Sequence, residues 1–203
     1  MQKVLIHGLG QTSSDWETVE ENLPISEKIC CPDLYALAQH KDMTYDNLYQ
    51  GFSHYCNSFD SQLNLCGISL GAVMALHYAI ENPKHIHSLI LIAPQFKMPK
   101  HLLVIQSLLF LLMPEKCFQE MPISKQDTIN LTNSMRHLDF SEDVKRISCP
   151  VFIVCGTQDK ANKKAAIALN REIPHSELYI VENAGHELNK EAPEYLADLI
   201  KKA

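Results

Sequence analysis

The chain has 203 residues, and its 46% hydrophobic content suffices for one well-buried domain but not for two. The formal net charge of −6 comes from scattered charges without a basic block, which argues against a nucleic-acid binder. We therefore expect a single domain over residues 1–203 whose partner is a small molecule. The sequence carries no prediction of the oligomeric state.

Targeting and redox signals are few. Seven cysteines form an odd set without a C-x-x-C pair, so we expect reduced thiols rather than a disulfide framework or a zinc ribbon. Met-Gln-Lys leads directly into an apolar run and leaves no room for a signal peptide, which predicts a cytoplasmic location. The apolar run 101–113 is shorter than the roughly 20 residues that a bilayer requires, so no stable membrane anchor is expected.

In chain order, short β-rich runs alternate with longer helical patterns. Val, Ile and Leu on both faces of the strands predict an α/β fold, with a mostly parallel sheet covered by helices on both sides. Ser14 or Asp15 is expected to cap the first helix. The runs that contain strands are 3–8, 27–34, 62–68, 86–94, 149–160 and 176–186, and the helical patterns are 13–23, 44–59, 71–82, 162–173 and 192–203.

Residues 95–146 interrupt this alternation with helical patterns, proline breaks and no convincing strand. Ligands of open α/β sheets bind outside the carboxyl ends of the strands, and the segment emerges there. We interpret 95–146 as a helical lid, and its run 101–113 as a buried or pocket-lining helix. The alternatives are a helical layer that only adds core and, for 101–113, an interfacial segment.

The pentapeptide Gly67-Ile68-Ser69-Leu70-Gly71 lies between a predicted strand and a predicted helix. A G-x-S-x-G turn in that context presents its serine above the sheet. Side chains at 67 or 71 are expected to collide with the neighbouring strand or helix. Leu70 N–H, at the start of the helix, would point toward a developing oxyanion. The alternative is a serine that merely caps a helix.

Three further segments, VLIHGLG, PVFIVCGTQDK and ENAGHELN, each include the end of another predicted strand or the loop after it, and with them the chain resembles the α/β-hydrolase family over nearly its whole length. The resemblance implies that His7 and Gly8 shape an oxyanion loop and that Leu9 N–H is the second oxyanion donor. It further implies Ser69 as nucleophile, Asp159 as acid and His186 as base, in the chain order of that family.

Each of these residues also has a simpler structural interpretation. Asp159 could be a helix N-cap, in which case Asp127, Asp139 or Asp143 could serve as the acid. His186 could be an ordinary loop histidine, and His7 is expected to be structural. His85 and His87 have a spacing that can bind metal but no thiol or carboxylate beside them, so no metal site is expected.

The chain also departs from the family pattern. Met1 stands six residues before His7 where most members have two further strands, so we expect a sheet shortened to about six parallel strands. Tyr35-Ala36-Leu37 stands where a Gly-His-Gly is common.

The predicted function is that of a small serine hydrolase that cleaves carboxylic esters with an apolar part through an acyl-enzyme, without a cofactor. Alternatives are hydrolysis of a thioester, lactone or amide, cleavage of a C–C bond, or a binding module with little turnover. The apolar preference rests on Leu102, Leu103, Ile105, Leu108, Leu109, Phe110 and Leu112 of the expected lid, which could instead face the core.

Overall fold

The computed structural model describes residues 1–38 and 41–203. Its centre is a six-stranded, all-parallel sheet in the order β2-β1-β3-β4-β5-β6, which confirms the predicted fold class. The second strand is only two residues long. The strands are β1 Gln2–Ile6, β2 Ile29–Cys30, β3 Leu63–Ile68, β4 Ile86–Ile92, β5 Val151–Gly156 and β6 Glu177–Val181.

Alternate side chains of the central strands enter two separate cores, one on each face of the sheet. Leu89 and Leu91 of β4 belong to one core, whereas Ile90 and Ile92 belong to the other. This alternation follows from the two-residue period of a strand, and it accounts for the continuous apolar runs in the sequence.

Nine α-helices lie in the described part of the chain. They are α1 Glu17–Glu21, α2 Leu34–Leu37, α3 Tyr45–Cys56, α4 Leu70–Glu81, α5 Lys100–Leu112, α6 Lys125–Ser134, α7 Lys160–Glu172, α8 Leu188–Glu191 and α9 Pro193–Lys202.

The first predicted helix differs from expectation. A 3₁₀ turn, Ser13–Trp16, precedes α1, and its N-cap is Thr12 rather than Ser14 or Asp15. Asp15 instead accepts a hydrogen bond from Thr12 N at 2.6 Å, which is the reciprocal half of a capping box. The prediction placed the cap two or three residues too late, because Thr, Ser and Asp can all fill that role.

Residues 95–146 connect β4 to β5 and contain α5, α6 and three short 3₁₀ turns. Their only β pairing among the described residues is an isolated antiparallel bridge between Lys97 and Asp139. Within residues 1–38 and 41–203, no helix combines the length and apolarity needed to cross a membrane.

Helix α5 turns its less apolar side inward, contrary to the prediction for its leucines. Leu103, Gln106, Ser107 and Phe110 form its inward face at helical spacing, and Ser107 is its one buried residue. Ile105, Leu108, Leu109 and Leu112 lie between 54% and 82% exposed, so they line neither a pocket nor the core. The expectation that these four support an apolar acyl site was therefore wrong.

Candidate active site

Ser69 stands at the junction of β3 and α4 in a backbone conformation that non-glycine residues rarely adopt, with φ 54° and ψ −112°. Its backbone N–H still continues the ladder by donating to Ile92 O at 2.9 Å. The side chain makes no capping hydrogen bond to α4. The serine is thus held in a strained turn without serving as an ordinary helix cap.

Two glycines make this turn possible because backbone occupies the space of their missing side chains. A Cβ at Gly67 would overlap the carbonyl oxygen of Gly71 in α4. A Cβ at Gly71 would overlap the carbonyl oxygen of Ile6 at the end of β1. Side chains at 67 and 71 would therefore collide with the neighbouring helix and strand, as the sequence predicts.

Asp159 and His186 meet above the carboxyl ends of β5 and β6. His186 Nδ1 donates to Asp159 Oδ2 over 2.6 Å, and the Asp159 side chain is only 7% exposed. Asp159 is also the N-cap of α7, where Oδ1 accepts from Asn162 N at 3.2 Å. The two readings of Asp159 are therefore compatible.

The charge state of Asp159 follows from these contacts. Burial alone would raise the pKa of its carboxyl, but the hydrogen bonds from His186 and Asn162 outweigh burial and hold that pKa below its usual value. Asp159 is consequently an anion at neutral pH, and the His186 proton lies on Nδ1, which leaves Nε2 as the ring's acceptor.

The other acids considered from the sequence lie elsewhere. Asp127 bonds to the Ser124 hydroxyl at the start of α6, Asp139 pairs with Lys97 at 3.0 Å, and Asp143 pairs with Arg146. Of the four candidates, Asp159 is the one that contacts His186.

Two backbone N–H groups beside Ser69 are free. Leu9 N and Leu70 N donate to no acceptor among the described residues, and both residues line the same cavity as Ser69. Leu70 N belongs to the first turn of α4, where the helix dipole favours negative charge. Both N–H groups can therefore donate to a negatively charged oxygen in this cavity.

His7 shapes the loop that carries Leu9. Its ring is fully buried, Nε2 accepts from Leu34 N at 3.0 Å, and Nδ1 lies 3.0 Å from Gly8 O. Burial lowers the pKa of His7, so the ring is neutral and its Nδ1–H donates to that carbonyl. Tyr35 braces the same loop by accepting from Gly10 N at 2.9 Å.

A polar bridge that the sequence did not reveal ties this loop to the loop of His186. Gln11 Oε1 accepts from Gly8 N at 3.1 Å, and its Nε2 donates to Glu187 Oε1 at 2.9 Å. Glu191 accepts from Gly185 N at 2.6 Å and from Glu187 N at 3.1 Å, on either side of His186. Gln11 therefore links the loop that carries Leu9 to the loop that carries His186.

Ser69 and His186 open into one cavity of about 240 Å³ beneath α5. No hydrogen bond joins the two side chains among the described residues. The wall is mainly apolar and includes Leu70, Val73, Met98, Leu102, Leu103 and Met135. Its polar side chains are those of Ser69, Gln95, Gln106, Thr132, Asn162 and His186.

Asn162 and Gln95 are polar residues of this wall that no sequence motif indicated. Asn162 Nδ2 lies 3.0 Å from Asp159 Oδ1 and 2.9 Å from Oδ2. Gln95 Nε2 lies 2.8 Å from Asn162 Oδ1. Only the fold brings the two carboxamides together, because Gln95 follows β4 and Asn162 stands in the first turn of α7.

His85 and His87 show no metal-binding arrangement. His85 Nδ1 lies 2.7 Å from the Tyr78 hydroxyl, and its Nε2 faces the Phe59 carbonyl at 3.0 Å. Across residues 1–38 and 41–203, no group of three or more His, Cys, Asp or Glu side chains could hold a metal ion.

Several known proteins resemble this chain in part. The pimeloyl-[acyl-carrier protein] methyl ester esterase of Nitrosomonas europaea is 28% identical over 90 residues, which cover 44% of this chain and 36% of that protein. The putative carbamate hydrolase RutD of Escherichia coli is 32% identical over 71 residues, or 34% of this chain and 27% of that protein. The chain thus matches about a third of the length of these curated relatives.

The architecture matches solved structures more completely. A thermophilic esterase from Thermogutta terrifontis superposes with a TM-score of 0.80 at 18% identity, covering 100% of this chain and 88% of that one. The profile of the Alpha/beta hydrolase family matches residues 4–199. With this match over nearly its whole length, the chain belongs to the α/β-hydrolase family.

Proposed function

We propose that this chain is a serine hydrolase that cleaves a small carboxylic ester with an apolar part through an acyl-enzyme on Ser69. The observation that carries the proposal is the 2.6 Å bond from His186 Nδ1 to the buried Asp159, at the wall of the cavity that Ser69 also lines. A buried acid that fixes the histidine tautomer is the arrangement that makes a serine hydroxyl nucleophilic.

The proposed reaction begins when His186 Nε2 takes the proton of Ser69 Oγ, and Oγ attacks the ester carbonyl. Leu9 N–H and Leu70 N–H hold the negative charge that develops on the carbonyl oxygen. The alcohol leaves with the proton from His186, and the acyl group remains on Ser69. His186 then removes a proton from water, which attacks the acyl carbonyl. The acyl–Oγ bond breaks, His186 returns the proton to Ser69 Oγ, and the acid is released.

The Ser69–His186 contact closes only when substrate is bound in this scheme. Catalytic hydrogen bonds are often long in the free enzyme and tighten in the complex. The bond between Asp159 and His186 is already formed, so the one contact left to form is that between the Ser69 hydroxyl and His186 Nε2.

Cavity size and lining support the substrate class. A volume of about 240 Å³ lies below the roughly 300–1,000 Å³ of sites for larger ligands, which favours short acyl groups. The apolar preference now rests on Leu70, Val73, Met98, Leu102, Leu103 and Met135. The names of the Nitrosomonas and Thermogutta proteins, both esterases, favour ester cleavage over the other acyl reactions.

Steady-state hydrolysis of p-nitrophenyl acetate, butyrate and octanoate tests this function. We expect turnover of the two shorter esters, weaker turnover of the octanoate, and a loss of at least about 10³-fold in Ser69→Ala. Ser61→Ala is the matched control, because Ser61 is exposed and its hydroxyl makes no hydrogen bond among the described residues. A wild-type chain that hydrolyses none of these esters, or a Ser69→Ala variant that keeps full activity, would contradict the proposal.

A further inference from the structure

The carboxamides of Asn162 and Gln95 have a fixed polarity. Asp159 is an anion and accepts only, so the Asn162 group that faces both of its oxygens must be the NH₂ group. Asn162 Oδ1 then faces Gln95 and must receive a donor, which is Gln95 Nε2 at 2.8 Å. The charge on Asp159 therefore determines which end of Gln95 is oxygen.

The result is an oriented acceptor that lies free at the cavity wall. Gln95 is half-buried and lines the cavity with Ser69, and its Oε1 makes no hydrogen bond with any described residue. Carbonyl oxygens in a largely apolar wall gain most from a ligand that donates a hydrogen bond. Gln95 cannot exchange the positions of its oxygen and its NH₂ group without breaking its bond to Asn162.

The other polar side chains of the wall are less suited to this role. Thr132 is only 2% exposed, and its hydroxyl donates to Thr128 O at 2.8 Å, so little of its oxygen is presented to a ligand. Gln106 has no hydrogen-bond partner among the described residues, so either end of its carboxamide can face the cavity or solvent. Of these three residues, Gln95 is the one that combines a free acceptor of fixed orientation with partial exposure at the cavity wall.

We propose that Gln95 Oε1 is a specificity-determining acceptor and that the substrate of this site carries a hydroxyl or N–H donor near its scissile carbonyl. The inference rests on the proposed ester hydrolysis and narrows its substrate class to esters of hydroxy or amino acyl groups. Discrimination arises because an ester without the donor leaves Oε1 facing an apolar group in the complex.

Loss of Gln95 has two effects that can be separated. Without Gln95, Asn162 loses the hydrogen bond on the side opposite Asp159, and any effect of this loss on the triad changes kcat for every ester alike. The lost acceptor lowers kcat/KM only for esters that carry the donor. The ratio of kcat/KM between an ester with the donor and a matched ester without it therefore measures the effect of the acceptor alone, since a change in the triad affects both esters equally.

The test measures kcat/KM for p-nitrophenyl 2-hydroxybutyrate and 3-hydroxybutyrate, for their O-methyl ethers, and for the plain butyrate. Each kcat/KM is divided by the rate of alkaline hydrolysis of the same ester, which corrects for intrinsic reactivity. We expect the wild type to favour at least one hydroxy ester about tenfold, the usual contribution of one net hydrogen bond. In Gln95→Leu this preference should disappear. Gln95→Ala serves as a second variant, and urea unfolding verifies that each variant is folded.

Gln106→Leu is the matched control, since it removes a carboxamide from the same wall, and it should retain the hydroxy preference. The inference is overturned if the wild type hydrolyses the hydroxy and plain esters equally, if the preference survives in Gln95→Leu, or if Gln106→Leu loses it instead. A wild type that hydrolyses no ester overturns the proposed function as well, which distinguishes the two failures.

Discussion

Substitution of Asp159 by Asn tests how the buried carboxylate controls His186. Asn162 N donates to Asp159 Oδ1 at 3.2 Å, and Asn162 Nδ2 donates to the same oxygen at 3.0 Å. An asparagine at 159 must keep its oxygen at that position, because its NH₂ group would otherwise oppose two donors. The NH₂ group then faces His186 Nδ1 in place of Oδ2.

The substitution therefore imposes the wrong tautomer. With a donor opposite Nδ1, the His186 proton moves to Nε2, which can no longer accept the proton of Ser69. In the best-studied serine hydrolase the same change lowers kcat about 10⁴-fold, equivalent to roughly 5.5 kcal/mol of transition-state stabilisation. We expect a loss of that order here. Stability should change little, because Asn caps a helix as well as Asp does.

The assay is kcat for p-nitrophenyl butyrate at pH 7.5, with urea unfolding to establish that each variant is folded. Asp143→Asn is the matched control, because Asp143 pairs with Arg146 and makes no hydrogen bond or ion pair with His186 in the described structure, and it should keep wild-type activity. The reasoning fails if folded Asp159→Asn retains more than about a tenth of the activity. It also fails if Asp143→Asn is the variant that loses it.

Three other changes address stability and specificity. The free energy of unfolding should fall as the pH drops from 6.5 to 5.5, and His7 should contribute at most about 1.4 kcal/mol of this fall. Burial lowers the pKa of His7, so over this range the unfolded chain takes up a proton at His7 that the folded chain does not. Urea titrations at both pH values measure the change, and equal free energies at the two pH values would refute it. Leu103 lines the cavity, so Leu103→Ala should shift acyl preference severalfold toward longer p-nitrophenyl esters. The side chain of Leu108 is 55% exposed, so Leu108→Ala should not change this preference, and equal shifts in the two variants would show that the acyl group does not bind in this cavity. Gly71→Ala should destabilise the fold by at least about 3 kcal/mol, because its Cβ would overlap the Ile6 carbonyl oxygen. Gly8→Ala should change stability by less than about 1 kcal/mol, because its Cβ would meet its nearest neighbour at 3.4 Å. Chemical denaturation of the two variants measures the difference.

The sheet and the site residues could be predicted because each carries a local signal. Continuous runs of Val, Ile and Leu separated by helical patterns predict parallel strands, and such strands end at one edge of the sheet. Ser69, Asp159 and His186 each follow a different strand, so the topology brings them together. The glycines at 67 and 71 were predictable because a strand-to-helix turn leaves no room for their side chains.

Helix α5 could not be oriented from its sequence because leucines surround it on all sides. Hydrophobic periodicity selects a face only when apolar and polar residues segregate. Here the inward face contains Gln106 and Ser107, the two polar residues that interrupt the apolar run 101–113. The roles of Gln95 and Asn162 were equally unpredictable, because the direction in which a carboxamide points its oxygen and its NH₂ group depends on the groups that face it in the fold.

The central claim is that Ser69 is the nucleophile of an oriented triad, and covalent labelling by a fluorophosphonate probe tests it most directly. Intact-mass analysis of the wild type should show one adduct, and peptide mapping should place it on Ser69. Ser69→Ala should remain unlabelled, and Asp159→Asn should label orders of magnitude more slowly. Labelling that persists in Ser69→Ala, or a wild type that hydrolyses esters yet takes up no probe, would contradict the account.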